Sequence, residues 1–354
     1  MTELLPFLKK LISAPGLSGY EAPIRSLIKE EWEPLTDELS TSRLGSLHAL
    51  HKGTGKEPKN SILLAAHMDA IGLMVTRVVQ GFLYVTSIGG VDPRVLPGQL
   101  VTVHGREDLP GLVVPTPPKL LPAKYQSSPI PMEHILVDTG LLPEEVSQLV
   151  RTGDLVSFAQ EPIETAGDTL SGHSLDNRAS VAALTICLQE LQYRPHLWDV
   201  WAVATVQEEV TLGGAHTSGF QLKPTIAVAI DVTFGSSPGS PEHRTFPLGE
   251  GLALGWGPNI HPKLHASFKD LAQKLEIPYQ LEVMPANSGT DAVALQVAAG
   301  GAPAMVISIP LRYMHTPVEM VSLKDVTRTG RLLAEFITRL DDDFVKKLAW
   351  EETE

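Results

Sequence analysis

Four continuously apolar stretches alternate along the chain with stretches in which apolar residues recur at helical spacing. The continuous stretches, at residues 62–66, 200–206, 226–230 and 304–309, are typical of strands buried on both faces of a sheet. Helical spacing occurs at residues 4–12, 24–32 and 179–191, and in a last long helix for which Ser322 is the expected N-cap. This alternation predicts an α/β domain with helices layered on a sheet.

A long segment with a different pattern separates the first of these strands from the second. Residues 83–86, 100–103 and 155–158 are short β-branched runs, and glycine-containing turns lie between them. Seven prolines occur from Pro110 to Pro131, so we expect neither a long helix nor a central strand there. The pattern predicts an inserted β-rich domain over residues 70–165. Residues 1–69 and 166–354 would then form one discontinuous α/β domain.

Composition narrows the class of protein further. The 354 residues carry 28 Lys and Arg against 41 Asp and Glu, a formal net charge of −13, and 43% are hydrophobic. This is a globular composition, and its acidic balance argues against nucleic acid or a membrane surface as a partner. Cys187 is the one cysteine, so no internal disulfide can form. Neither a signal peptide nor a membrane-spanning run is recognised, so we expect a cytoplasmic protein.

Histidines and carboxylates follow the predicted strands or precede a predicted helix. They are His67 and Asp69, Asp176, Glu208 and Glu209, Asp231, and His315. In α/β sheets, ligands bind outside the carboxyl ends of the strands, where these residues would gather. Each carboxylate alone is more simply interpreted as a helix N-cap or a solvated loop residue, and His67 alone as a structural histidine with satisfied hydrogen bonds. Their shared placement after separate strands favours a metal site.

The types of candidate ligand limit which metal can bind and indicate how many ions the site holds. Histidine and carboxylate ligands without a thiolate cluster suit zinc, cobalt or manganese. Of the seven residues, five are expected to be ligands, since Asp69 and one of the two glutamates have other roles described below. Five ligands exceed the three of one catalytic zinc, so we expect two divalent ions that share a carboxylate. Asp69 could accept a proton from the second ring nitrogen of His67. Because neighbours in an extended chain point to opposite sides, one of Glu208 and Glu209 could ligate while the other acts as general base.

Motifs along nearly the whole chain resemble those of a known family. This family comprises the dinuclear metallopeptidases of clan MH that include glutamyl, deblocking and tetrahedral aminopeptidases, some of which carry the name endoglucanase. The motifs are Ser18-Gly19-Tyr20-Glu21, His67-Met68-Asp69-Ala70-Ile71-Gly72, Leu175-Asp176-Asn177-Arg178, Gln207-Glu208-Glu209, Gly289-Thr290-Asp291-Ala292 and Tyr313-Met314-His315-Thr316-Pro317.

The resemblance implies a three-layer, phosphorylase/hydrolase-like catalytic domain with an inserted β-barrel-like domain of PDZ type that makes oligomer contacts. The implied ligands are His67 and Asp231 for one ion, Glu209 and His315 for the other, and Asp176 as the bridge between them. Glu208 would be the general base, and Asp69 would orient His67. Because members of the family commonly form tetrahedral dodecamers, self-association is expected.

One departure from the family lies beside the site. The family usually has Glu after the His-x-Asp motif, whereas this chain has Ala70. Ala70 is not among the five implied ligands, so metal binding is expected to survive. Its consequence for substrate contacts stays open.

These residues together predict a metal-dependent aminopeptidase that releases N-terminal residues from peptides through a metal-activated water. Two alternatives remain at this stage. A glycoside hydrolase would need only a pair of carboxylates and no metal, and a non-catalytic homologue would serve as an oligomeric scaffold. The preferred N-terminal residue is not predicted, although Arg312 and residues 287–291 are candidates for the substrate pocket.

Overall fold

The computed structural model describes residues 3–125 and 127–350, so the extreme ends of the predicted domain, residues 1–2 and 351–354, lie outside the described residues. The helices are α1 (Leu4–Ser13), α2 (Ala22–Trp32), α3 (Pro143–Leu149), α4 (Leu175–Leu191), α5 (Glu208–Thr211), α6 (Gly213–Leu222), α7 (Pro262–Lys274), α8 (Asp291–Val297), α9 (Leu323–Ile337) and α10 (Phe344–Lys347). The strands are β1 (Glu38–Thr41), β2 (Leu47–His51), β3 (Ser61–His67), β4 (Gly72–Val79), β5 (Phe82–Ile88), β6 (Leu100–His104), β7 (Asp108–Pro115), β8 (Ile135–Asp138), β9 (Leu155–Phe158), β10 (Ile163–Thr165), β11 (Thr169–Gly172), β12 (Asp199–Thr205), β13 (Ile226–Phe234), β14 (Leu252–Trp256), β15 (Tyr279–Val283), β16 (Ala304–Arg312) and β17 (Glu319–Ser322).

In the described part of the chain, eleven strands form one large sheet with helices on both faces. Its main path runs β1-β2-β12-β3-β13-β16-β17-β11-β10, and the central strands β12, β3, β13 and β16 are parallel. Alternate residues of β3 serve the two faces. Ile62 and Leu64 pack into the core with α4 and α9, whereas Leu63 and Ala65 pack with α6 and α8. The predicted α/β fold with helices layered on a sheet is confirmed.

A closed six-stranded barrel, in the order β4-β5-β8-β7-β6-β9, has a hydrophobic core of its own. The expectation that no central strand enters the proline-rich stretch is wrong at its start, because β7 includes Pro110 and Pro115 and is paired on both sides. Pro110 has a register partner in β6 but none in β8, and Pro115 ends the strand. The missing N–H of Pro110 therefore removes no bond to β8.

The barrel strands occupy residues 72–158, between β3 and β10 of the large sheet. The short strand β10 pairs with β11 and so lies at the edge of the large sheet. The domain boundaries at residues 69/70 and 165/166 stay a prediction.

Several elements extend beyond their predicted limits. Strand β13 continues through Phe234 because its ladder with β16 persists, so Asp231 lies within a strand and not after it. Ser322 is the N-cap of α9, but Asp325 does not form a capping box, since its carboxylate accepts the backbone N–H groups of Gly249 and Gly251.

Among the described residues, no helix has the length and apolar character needed to cross a membrane.

Candidate metal centre

The structure brings the seven predicted site residues to one edge of the large sheet. His67 is the last residue of β3, Asp231 lies within β13, and His315 follows β16. A cavity of about 490 Å³ is lined by six of the seven: His67, Asp176, Glu208, Glu209, Asp231 and His315. Asp69 lies behind this wall and is fully buried. The prediction that these residues gather at the carboxyl ends of the strands therefore agrees with the fold.

Asp176 lies between the two histidines. Its Oδ1 is 3.2 Å from Nε2 of His67, and its Oδ2 is 3.3 Å from Nε2 of His315. The residue belongs to a non-helical segment at the start of α4, where Asp176 and Asn177 depart from helical angles. Asn177 secures this segment because its side-chain amide donates to the carbonyl of Ile230 at 2.8 Å. One carboxylate thus presents one oxygen to each imidazole.

Glu208 and Glu209 occupy the two sides of the same cavity. Oε2 of Glu208 is 3.7 Å from Nε2 of His67, and Oε2 of Glu209 is 3.5 Å from Nε2 of His315. The prediction that they lie in extended backbone is wrong, because both belong to the short helix α5. Gln207, in the left-handed region at φ 57°, turns the chain into this helix after β12. Their divergence therefore comes from helical rotation and not from strand alternation.

Glu21 supports this turn from the N-terminal part of the chain. Its Oε1 accepts the backbone N–H of Gln207 at 3.1 Å and that of Gly19 at 2.6 Å. Burial is the main influence on Glu21 and raises its pKa. The Ser-Gly-Tyr-Glu motif singled out in the sequence thus acts on the backbone that carries Glu208.

Backbone carbonyls fix the tautomers of both histidines. Nδ1 of His67 lies 3.2 Å from the carbonyl oxygen of Asp69, and Nδ1 of His315 lies 3.0 Å from the carbonyl oxygen of Gly90, in the loop after barrel strand β5. Because a carbonyl oxygen can only accept, each Nδ1 carries the proton and donates it. In both rings Nε2 is left to face the carboxylates, as a metal-ligating histidine requires.

The predicted role of Asp69, orienting His67, stays a prediction, and its carboxylate has further partners. Its carboxylate oxygen is 3.5 Å from Nδ1 of His67, farther than its own carbonyl oxygen. The carboxylate accepts the backbone N–H of Glu208 at 3.0 Å and that of Glu209 at 3.3 Å. Asp69 therefore connects the end of β3 with the start of α5, where both glutamates lie.

Sequence reasoning missed one further acid, Glu319, and gave no role at the metal site to a second, Asp291, which it had named only as part of a motif and of a possible substrate pocket. Glu319, the first residue of β17, is buried and accepts the backbone N–H of Asp176 at 3.0 Å and that of His315 at 2.9 Å. Asp291 is buried below the site and accepts a hydrogen bond from the Thr205 hydroxyl. The available signals were the Gly-Thr-Asp motif for Asp291 and, for Glu319, a carboxylate four residues after His315.

The buried carboxylates of the site require compensating positive charge in order to be ionised. Burial is the largest influence on the glutamates and raises the pKa of Glu208 to about 10 and that of Glu209 to about 7. Burial also raises the pKa of Asp231 well above its usual range. The hydrogen bond with Asp176 raises the pKa of His315 to about 9. Without cations, these carboxylates can be accommodated only by taking up protons or by pairing with protonated histidine.

The donor set fits divalent cations. Two groups of three side chains have potential ligand atoms that all lie within 4.8 Å of one another: His67, Glu208 and Asp231, and His67, Asp176 and Glu209. Oε1 of Glu209 is buried and has no hydrogen-bond partner among the described residues. An unpartnered buried carboxylate oxygen beside imidazole nitrogens is what a cation would satisfy.

Comparison with known proteins identifies the family to which the chain belongs. A model of the M42 glutamyl aminopeptidases matches residues 45–332, which is most of the chain and includes every predicted site residue. The chain belongs to the M42 aminopeptidase family. The predicted activity, that of a metal-dependent aminopeptidase, is thereby confirmed, whereas the roles of single residues stay predictions.

Relatives of this M42 aminopeptidase agree in sequence and in structure. The lysyl aminopeptidase of Pyrococcus furiosus is 36% identical over 339 residues, which cover 94% of this chain and 96% of that protein. The TET aminopeptidase of the Thaumarchaeota archaeon SCGC AB-539-E09 has a TM-score of 0.91 at 29% identity, with 98% and 99% of the two chains covered. The TET1 peptidase of Pyrococcus horikoshii, which can assemble into a tetrahedron or a large octahedral shell, has a TM-score of 0.81 at 29% identity and covers 96% of this chain and 100% of its own.

Ala70, the departure from the family named above, and the buried His173 beside Ser174 both lie outside the ligand set. Ala70 has a buried side chain, and its backbone pairs with Gly16 and Ser18. His173 donates to or accepts from the Ser174 hydroxyl at 2.8 Å, and burial lowers the pKa of its ring to about 3. His173 is thus a neutral, buried ring, and neither residue lines the cavity of the metal centre.

Proposed function

We propose that the metal centre holds two divalent ions, with Asp176 as the shared ligand. His67 and Asp231 complete the shell of one ion, and Glu209 and His315 complete that of the other. The observation that carries the proposal is the position of Asp176, whose two oxygens face Nε2 of the two different histidines at 3.2 and 3.3 Å. Zinc or cobalt suits this mixture of imidazole and carboxylate best, and manganese is the next candidate.

Glu208 is the general base of this proposal. When bound, the two ions supply a Lewis acid for the scissile carbonyl and lower the pKa of the attacking water. Glu208 lines the cavity beside His67, takes the proton of that water and delivers it to the leaving amine. Asp69 keeps Glu208 in place through the hydrogen bond to its backbone N–H.

The proposal confines cleavage to N-terminal residues. The two ions would offset most of the charge of Asp176, Glu208, Glu209 and Asp231, which line the cavity. Among the described lining residues there is neither lysine nor arginine to hold a C-terminal carboxylate. The substrates are therefore peptides presented by their amino ends.

The test combines metal removal with one substitution. Chelation should abolish hydrolysis of aminoacyl p-nitroanilides, and zinc or cobalt should restore it, whereas a glycoside hydrolase would act on its glucan without metal. Glu208→Gln should still bind two ions per chain, as counted by metal analysis, but lower kcat by about 10²- to 10⁴-fold. Glu144→Gln, at an exposed position of α3, is the control and should behave as wild type.

The role of Glu208 as general base and the catalytic activity itself can each be refuted by a separate result. Binding of one ion per chain by Glu208→Gln would make Glu208 a ligand and refute its role as base. Full activity in that variant would refute it as well. Two ions bound by the wild-type protein without turnover of any peptide would identify a non-catalytic scaffold.

We further propose that the chain self-associates through the barrel, residues 70–165, into a shell of the tetrahedral dodecamer kind. Leu100 and Leu112, register partners on β6 and β7, and Leu120 are large apolar side chains exposed on this part of the molecule. Light scattering after size-exclusion chromatography tests the assembly, and a monomer at all concentrations would refute it. A cytoplasmic location belongs to the same proposal and is tested by cell fractionation.

A further inference from the structure

One acid in the wall of the catalytic cavity has no part in the proposed reaction. Glu282 lies on β15, which pairs with β14 at the margin of the large sheet, and it lines the cavity that also contains His67 and Asp231. Its carboxylate accepts hydrogen bonds from two hydroxyl groups, that of Thr233 through Oε1 and that of Ser308, at 2.6 Å, through Oε2. Each carboxylate oxygen keeps a lone pair for a further donor.

The two hydroxyl groups relate Glu282 to the metal centre. Thr233 lies two residues after Asp231 on β13, so the two side chains are on the same face of the strand. Ser308 is the register partner of Asp231 on the parallel strand β16. Glu282 is thus held by two hydroxyl groups that lie on the strands beside Asp231, a proposed ligand, and it lines the same cavity.

The remainder of this wall suits a long aliphatic stem. Phe234 and Met314 line the same cavity, and the loop at Ser288 to Thr290 contributes small, uncharged groups. Arg312, a candidate pocket residue from its position in the sequence, is not part of the lining, and its Nε donates to the carbonyl of Ser236 at 2.6 Å. An acidic side chain of a substrate would find no counterion among the described lining residues.

We infer that Glu282 accepts the charged end of a lysine or arginine side chain and makes the enzyme selective for basic N-terminal residues. The inference rests on the proposed function, because it assigns the pocket next to that reaction centre. The hydroxyl groups of Thr233 and Ser308 hold the carboxylate in a fixed orientation, so the side chain of Glu282 loses little conformational entropy when substrate binds. Burial raises the pKa of Glu282, and an incoming cation would favour its ionised form.

The experiment compares kcat/KM for p-nitroanilides of lysine, arginine, norleucine and glutamate after loading with cobalt or zinc. Norleucine has the stem of lysine without its charge, so the lysine-to-norleucine ratio of the wild-type enzyme measures the charge alone. We expect a ratio of about 10 to 100. Glu282→Gln should bring that ratio close to 1 while norleucine turnover stays within about threefold, because the amide still bonds both hydroxyl groups.

Several results would overturn the inference. Norleucine or glutamate as the best wild-type substrate would overturn it and leave the aminopeptidase assignment intact. An equal loss of lysine and norleucine turnover in Glu282→Gln would assign Glu282 a structural role only. Should that variant fail to fold, the wild-type ratio decides, and a value near 1 refutes the inference. If no substrate is hydrolysed, the proposed function fails and the inference fails with it.

Discussion

Replacing Glu319 with glutamine tests how the metal centre is held. The buried carboxylate accepts one N–H from the backbone of Asp176 and one from that of His315, so it fixes the proposed bridge and a terminal ligand at once. Glutamine has the same shape but only one acceptor oxygen. Its amide would have to direct N–H groups towards a backbone N–H.

The size of the effect follows from these two bonds. A hydrogen bond to a charged group contributes about 1.5–3 kcal/mol. If the loss of one such bond falls on metal binding, affinity drops by about 10- to 100-fold, which is also the usual effect of removing a group that orients a ligand. Competition with a fluorescent chelator measures the dissociation constant, and urea unfolding of the metal-free protein measures stability separately.

Asp325 provides a matched control for this substitution. Like Glu319 it is buried and accepts two backbone N–H groups, those of Gly249 at 2.6 Å and Gly251 at 3.0 Å, but it lies on α9 away from the cavity. Asp325→Asn should lower the free energy of unfolding and leave metal affinity unchanged. If Glu319→Gln behaves in the same way, Glu319 only supports the fold, and the reasoning is refuted.

Two other substitutions test contacts around the site. Gly90→Ala would put a Cβ 2.7 Å from Nδ1 of His315, so kcat/KM should fall by about tenfold or more, whereas Gly300→Ala, with no atom within 4 Å of its Cβ, should be silent in the same assay. Arg178→Met would remove hydrogen bonds from a buried guanidinium to carbonyl groups including those of Leu11 and Met68. It should lower the free energy of unfolding by about 3 kcal/mol; an unchanged urea midpoint would show that these bonds contribute nothing.

The periodicity of the sequence was sufficient to predict the layered sheet, because its central strands are buried on both faces and so carry uninterrupted apolar runs. It was also sufficient to place the candidate ligands, since parallel strands end at a common edge. The limits of β13 could not be predicted, because Asp231 is polar and ends the apolar run although the ladder with β16 continues through it.

What the sequence could not predict depends on contacts between distant segments. The helical conformation of Glu208 and Glu209 depends on Gln207 in the left-handed region, and nothing in a Gln-Glu-Glu sequence favours that angle. Glu282 lies on an edge strand between exposed residues, where a glutamate is ordinarily a surface residue. Its role becomes visible only when the hydroxyl groups of Thr233 and Ser308 are seen to converge on it.

The contact between the barrel and His315 has a thermodynamic consequence. Because the carbonyl of Gly90 orients the ring, any force that holds the loop after β5 in place also favours the ligating position of Nε2. Contacts between subunits that hold this loop would therefore strengthen metal binding, and by reciprocity bound metal would strengthen those contacts to the same extent. Dilution of an assembly and chelation of its ions then become two ways of shifting a single equilibrium.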